Sequence, residues 1–134
     1  MRVLYVDDDR VNALLFSEAC RFAKGVEVET ADSAEEALEI VARWRPDFLV
    51  IDLHLPDMLG YELLGQLRQR LADPSLPAFL CTADPASEVA EPACQAGFDG
   101  CWIKPVDLQT MLAELARRSS ARGAVNAGVT LGEK

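Results

Sequence analysis

Hydrophobic positions fall in five short runs separated by segments with helical spacing. The runs are "RVLYV" (2–6), "VEVET" (26–30), "DFLVI" (47–51), "PAFLC" (77–81) and "GCWIK" (100–104). Four are almost continuously apolar, the pattern of strands buried on both faces of a sheet. "VEVET" alternates instead, which predicts an edge strand with one wetter face. Between the runs, apolar residues recur every three to four positions, as on one face of a helix. Val11, Leu14, Leu15 and Phe22 form the expected inward stripe of the first helix (9–22). Ala37, Leu38 and Val41 do so in the second (33–44), where Ser33 is placed to cap and Glu36 follows three residues later. Leu63, Leu64, Leu67 and Leu71 mark the third helix; Leu108, Met111, Leu112 and Leu115 mark the last.

The fourth helical segment, "ASEVAEPACQAG", contains Pro92. Proline has no N–H to donate and clashes with the preceding turn, so this helix is expected to start late or to kink there. Gly97 is expected to end it. Strand followed by helix, five times over, predicts an α/β domain with a parallel sheet and helices on both faces. The small, polar and Gly-rich stretch 119–134 is expected to be a flexible tail outside a domain at 1–118.

Composition narrows the function. Of 134 residues, 50% are hydrophobic and 26% charged, the balance of an ordinary globular protein. A formal charge of −9 disfavours gripping nucleic-acid phosphates and favours attracting cations into an acidic cleft. No run approaches the length of a membrane span or a secretory signal, so a cytoplasmic location is expected. Cys20, Cys81, Cys94 and Cys101 lack C-x-x-C spacing, and reduced core thiols are the simplest reading of them.

Candidate chemistry follows from the sheet. In an open parallel sheet, ligands bind beyond the carboxyl ends of the strands. The residues there are Asp7 and Asp8 after the first strand, Asp52 after the third, Thr82 after the fourth and Lys104 at the end of the fifth. Carboxylates hold Mg²⁺ through hard oxygen ligands. A further carboxylate can act as a nucleophile in phosphoryl transfer, with a hydroxyl and an ammonium binding the phosphoryl oxygens. Capping the first helix is the competing role for Asp7 and Asp8, and capping a turn is the competing role for Asp52. Asp9, at the helix start, reads as a cap or a first-turn acid.

The stretches "VLYVDDD", "PDFLVIDLHLPDMLGYELL", "LCTAD" and "AGFDGCWIKPVD" together resemble the receiver domains of two-component response regulators. The resemblance covers residues 1 to 118 and is strongest for receivers that stand alone or belong to hybrid kinases. It implies a doubly wound (βα)5 flavodoxin-like fold with a five-stranded parallel sheet of order 2-1-3-4-5. It also implies that Asp52 accepts a phosphoryl group and that Asp8 binds Mg²⁺ directly. Asp7 would support the metal, and the backbone carbonyl of His54 would complete the protein's share of its shell. Thr82 and Lys104 would bind the phosphoryl group, with a cis Lys104–Pro105 bond. The implied partners are a sensor histidine kinase or histidine phosphotransfer protein and a downstream protein. The domain would catalyse its own phosphorylation and dephosphorylation rather than turn over a free substrate. Whether phosphorylation pairs two copies stays open at this level.

Two positions depart from the family pattern. Cys101 stands where an aromatic residue is usual, three before the lysine, and Pro92 lies in a helix that commonly forms part of the output surface. Both motivate an alternative, a receiver-like interaction module that no longer switches. A hydrolase of the haloacid dehalogenase type is a poorer match, because His54 replaces the second aspartate of its Asp-x-Asp pair and no cap domain is evident. A flavodoxin-like nucleotide binder lacks its phosphate loop after the first strand. The side chain of His54 is expected to be partly exposed, with contact to the phosphoryl group or attacking water as the lesser reading.

Overall fold

A computed structural model describes the backbone of residues 1–131 and the side chains of residues 1–119. Five strands alternate with five helices: β1 (Arg2–Val6), α1 (Arg10–Cys20), β2 (Glu27–Ala31), α2 (Ala34–Val41), β3 (Phe48–Asp52), α3 (Gly60–Arg70), β4 (Ala78–Thr82), α4 (Ala86–Ala96), β5 (Gly100–Ile103) and α5 (Leu108–Leu131). The sheet is parallel throughout, in the order β2-β1-β3-β4-β5. The expected tail at 119–134 falls, after Ser119, outside the residues whose side chains are described.

Alternation along the strands divides the core in two. Leu4, Val6, Leu49, Ile51, Ala78 and Leu80 point to the face covered by α2, α3 and α4. Val3, Tyr5, Phe48, Val50, Phe79 and Cys81 point to the face covered by α1 and α5. β3 and β4 are buried at every position, as their apolar runs require. β2 is the wetter edge strand that its alternation predicts. β5 departs from expectation: three of its four positions are only half-buried, because the topology makes it the opposite edge.

The helix starts follow local chemistry. Asp9 caps α1, accepting from the backbone N–H groups of Val11 and Asn12 at 3.0 and 3.3 Å. Ser33 caps α2 by accepting from Glu36 N–H at 3.1 Å, and the Glu36 carboxylate accepts from Asp32 N–H at 2.7 Å. Asp57, far along the chain, adds a second cap, accepting from the N–H groups of Ala34 and Glu35, each at 2.9 Å.

α4 begins at Ala86, six residues before Pro92, and runs through it, so of the two alternatives for this helix the late start is ruled out. Pro92 is exposed, and Gly97 at φ +101° ends the helix in the left-handed conformation. In α1 the inward face is Ala13, Phe16 and Cys20. The expected inward stripe faces water instead: Val11, Leu14, Leu15 and Phe22 are 64, 60, 50 and 91% exposed. Phe16 stacks on Tyr5 with ring centroids 4.5 Å apart, on the face that α1 turns to the sheet.

Candidate functional site

The carboxyl ends of β1, β3, β4 and β5 bring the sequence-derived residues together. Carboxylate oxygens of Asp7, Asp8 and Asp52 lie within 4.8 Å of one another. Asp7 and Asp52 are buried and Asp8 is exposed, so the group has a closed floor and one open wall. Lys104, one residue past β5, places Nζ 2.9 Å from Asp7 Oδ2 and 3.5 Å from Asp52 Oδ2. Its backbone N–H donates to the Thr82 carbonyl at 2.8 Å, which ties the lysine to the end of β4. The Lys104–Pro105 peptide is cis, as the resemblance implied.

The N-cap of α1 is Asp9, and Asp7 lies buried beneath the turn that leads to it. Asp7 Oδ1 accepts from Asp9 N–H at 2.9 Å in the turn before α1, and Oδ2 takes the ammonium together with the Tyr5 hydroxyl at 3.3 Å. Asp52 is 7% exposed. Burial pushes its pKa up; Lys104 pulls it back, Asp7 raises it again, and hydrogen bonds from His54 N–H and Lys104 lower it. The outcome is about 6, well above an ordinary aspartate. For Lys104, burial pulls the pKa down, but the Asp7 hydrogen bond and the charges of Asp52 and Asp7 outweigh it, so the ammonium is held more firmly than usual.

Gly60 makes this geometry possible. A Cβ there would lie 2.5 Å from the Asp52 carbonyl oxygen, so only glycine lets the start of α3 pack against the end of β3. Its N–H donates to the Leu53 carbonyl at 2.8 Å, closing the loop that carries His54. Thr82 is fully buried at the end of β4, and its Oγ1 accepts from Asp84 N–H at 3.2 Å. That leaves the hydroxyl proton free to donate.

The sequence reading missed Gly60, Tyr5, Asp57 and Asp84. The first three act through backbone approach or through partners in other elements. Only Asp84, two residues beyond Thr82 and matching His54 beyond Asp52, carried a spacing that could have been noticed. Of the cysteines, Cys20 and Cys81 are buried as expected, whereas Cys101 is half-buried and Cys94 exposed. The half-buried ring of Tyr61, from α3, meets Phe98 edge-on at 6.4 Å. Burial raises its pKa, with the neighbouring Cys101 and Asp84 adding to the effect. An aromatic ring from another element thus stands near the cysteine that replaces the usual one.

Residues 3–116 match the family model of the response regulator receiver domain. The chain belongs to that family. This receiver is 39% identical over 115 residues to "Response regulator MprA" of Mycobacterium leprae, a match covering 86% of this chain and 49% of that protein. It is 37% identical over 110 residues to an uncharacterized 14.6 kDa protein of Leptolyngbya boryana, covering 80% of this chain and 81% of that one. The receiver spans about half the length of the first curated relatives it matches. Among solved structures, it is similar to a CheY-like receiver from Methanospirillum hungatei, with a TM-score of 0.79, 28% identity, and 91% of this chain and 95% of that one covered. It is also similar to the chemotaxis response regulator CheY4 of Vibrio cholerae, with a TM-score of 0.78, 30% identity, and coverage of 87% and 96%. The flavodoxin-like order 2-1-3-4-5 and the receiver reading of the sequence therefore both hold. Among the described residues, no helix is long and apolar enough to cross a membrane.

Proposed function

We propose that Asp52 is the phosphoacceptor of this receiver and that its phosphorylation is the signal the domain carries. The observation that supports this most is the placement of one buried carboxylate, Asp52, beside an ammonium that it shares with Asp7 and within reach of the carboxylates of both Asp7 and Asp8. A helix cap needs neither.

Three converging carboxylate oxygens fit Mg²⁺, a hard cation that favours oxygen donors and keeps several waters. Asp8 and Asp52 would hold it directly, Asp7 would support it, and the His54 carbonyl would complete the protein's share. When bound, Mg²⁺ neutralises charge on the phosphoryl oxygens.

The remaining chemistry belongs to the chain's own residues. An Asp52 carboxylate oxygen attacks phosphorus in line; the bond to the donor nitrogen breaks, and the electron pair leaves with the donor imidazole. Thr82, held by Asp84 N–H, directs its hydroxyl proton at one phosphoryl oxygen. Lys104 pairs with another while keeping Asp7 within reach. All of this is positioning and charge stabilisation, which is the main contribution available to a protein in phosphoryl transfer.

The donor is a phosphohistidine on a sensor kinase or phosphotransfer protein in the cytoplasm, and a separate protein or domain reads the result. A donor side chain must reach an aspartate that is 7% exposed, so the donor needs a surface beside the site. The outward face of α1 supplies one. A cleft of about 350 Å³ joins Leu14 to Asp7, and a second, of about 160 Å³, joins Leu15 to Lys104. Incubation with a small-molecule phosphodonor and Mg²⁺ should add one phosphoryl group by intact mass, and Asp52→Asn should lose at least about 100-fold of the labelling rate. Equal labelling of the Asp52→Asn variant would refute the assignment.

A further inference from the structure

His54 and Asp84 are the wetter side chains near Asp52, 60 and 33% exposed, and they meet with Nε2 2.7 Å from Oδ2. The other side of the site is dry. There the β1 residue Tyr5, itself buried, aims its hydroxyl at Asp7 Oδ2 from 3.3 Å. Lys104 Nζ takes the same oxygen from 2.9 Å, while Asp7 Oδ1 is held separately by Asp9 N–H at 2.9 Å. Packing does not call for the hydroxyl. The Tyr5 ring is fixed by its stack on Phe16, with centroids 4.5 Å apart, and a phenylalanine would stack as well. A buried hydroxyl is costly unless it is hydrogen-bonded, and the polar groups around this one are Asp7 and the Cys81 thiol.

The two donors on Asp7 Oδ2 differ in their freedom to move. Lys104 Nζ is also 3.5 Å from Asp52 Oδ2, and a phosphoryl group on Asp52 would draw the ammonium toward itself. A cleft of about 160 Å³ bordered by Tyr5, Cys81 and Lys104 gives the lysine room to shift. Tyr5 has no such freedom, because its ring is pinned against Phe16 of α1. Without a second donor, Asp7 would keep a buried, unpaired carboxylate oxygen whenever the ammonium turned away, which is a costly state. We propose that Tyr5 is a positioning residue of the phosphoryl-transfer site, its hydroxyl holding Asp7 in place while Lys104 turns to the phosphoryl group. The proposal rests on the reading of Asp52 as phosphoacceptor. Tyr5 touches neither the donor nor the reacting atoms; it acts by orienting a carboxylate that supports the cation.

The test compares binding of Mg²⁺ alone with binding of beryllofluoride, a phosphoryl mimic, in the presence of Mg²⁺, using calorimetry on the full chain. In Tyr5→Phe, Lys104 still serves Asp7 before any phosphoryl group arrives, so Mg²⁺ affinity should stay near native. Affinity for beryllofluoride and the rate of phosphoryl uptake from a small-molecule donor should both fall several-fold. A merely structural hydroxyl would shift melting and leave the ratio of the two affinities unchanged. Uptake by Asp7→Ala should not be slowed further by adding Tyr5→Phe, since Tyr5 acts through Asp7. Cys81→Ala leaves the Tyr5–Asp7 contact and should bind the mimic as the native chain does. Should Tyr5→Phe unfold, the ζ-carbon resonance of Tyr5 in the native chain decides instead, and it should shift when beryllofluoride joins the Mg²⁺-bound protein. Native mimic affinity in Tyr5→Phe, the same loss in Cys81→Ala, further slowing in the Asp7→Ala background or an unmoved resonance would each overturn the role of Tyr5. A native chain that binds no mimic and takes no label would instead overturn the phosphoacceptor reading, and the role of Tyr5 with it.

Discussion

α1 and α3 are both 11 residues long, lie on opposite faces of the sheet and carry apolar residues at helical spacing. In α3, Leu63, Leu64 and Leu67 are all fully buried against the sheet and α2. In α1, Val11, Leu14 and Leu15 are at least half exposed, and the smaller Ala13 and Cys20 flank Phe16 on the inward face. The pattern alone does not distinguish the two. α3 has one apolar face and buries it; α1 has two, and the one turned to the sheet carries Phe16, stacked on Tyr5. The surplus leucines of α1 are left beside the acidic site, where a partner can cover them.

The sharpest way to break the comparison is a matched pair of truncations. Leu64→Ala should destabilise the fold by about 2–5 kcal/mol, through lost burial and a residual cavity. Leu14→Ala should stay within about 0.5 kcal/mol, as exposed substitutions do. Denaturant melts of both variants decide the matter, and a large loss at Leu14 would mean that α1 is rolled differently.

Gly60→Ala tests the start of α3, where site and packing meet. The added Cβ must displace the Asp52 carbonyl, which should cost about 1–3 kcal/mol and slow phosphoryl uptake as well. Uptake at the native rate would show that the close approach does not position the acceptor.

A replacement of both α1 leucines, Leu14→Glu with Leu15→Glu, sharpens the other side. Transfer from a phosphohistidine protein should fall about tenfold, equivalent to about 1.4 kcal/mol. Labelling by a small phosphodonor should stay near native, because neither residue belongs to the acid group. Equal loss with both donors would point to damage at the site rather than at a docking face.

The smallest effect concerns Asp52 itself. Its folded-state pKa, about 6, lies above that of an unfolded aspartate, so the folded state favours the neutral carboxyl. The linked stability is fully present below the unfolded value and is lost as pH rises through about 6. Without divalent cation, Asp52→Asn should therefore stabilise the protein more at pH 8 than at pH 4. Melting the two proteins at both pH values checks the sign.

The stretch "VDDDR" shows how far local sequence goes. The three aspartates take three roles: Asp9 caps a helix, Asp8 forms an open wall, and Asp7 lies buried under Lys104. Strand ends, the order of acidic, hydroxyl and ammonium landmarks, and the caps at Asp9 and Ser33 were legible because each depends on neighbours along the chain. Sequence pattern also identified β2 as an edge strand, since alternating polarity reports directly on a half-wet surface.

What remained hidden depends on residues that are distant in the chain and adjacent in space. The roll of α1, the Asp57 cap on α2, the need for glycine at 60 and the His54–Asp84 contact each require two elements to be placed first. Hydrophobic periodicity states that a face will be buried, but the energy that selects between two apolar faces is set by the shape of the surface they meet. For this chain, the sequence determined the alternation of elements and the chemical inventory of the site. Tertiary packing decided which carboxylates are buried, which ammonium they share, and which leucines face water.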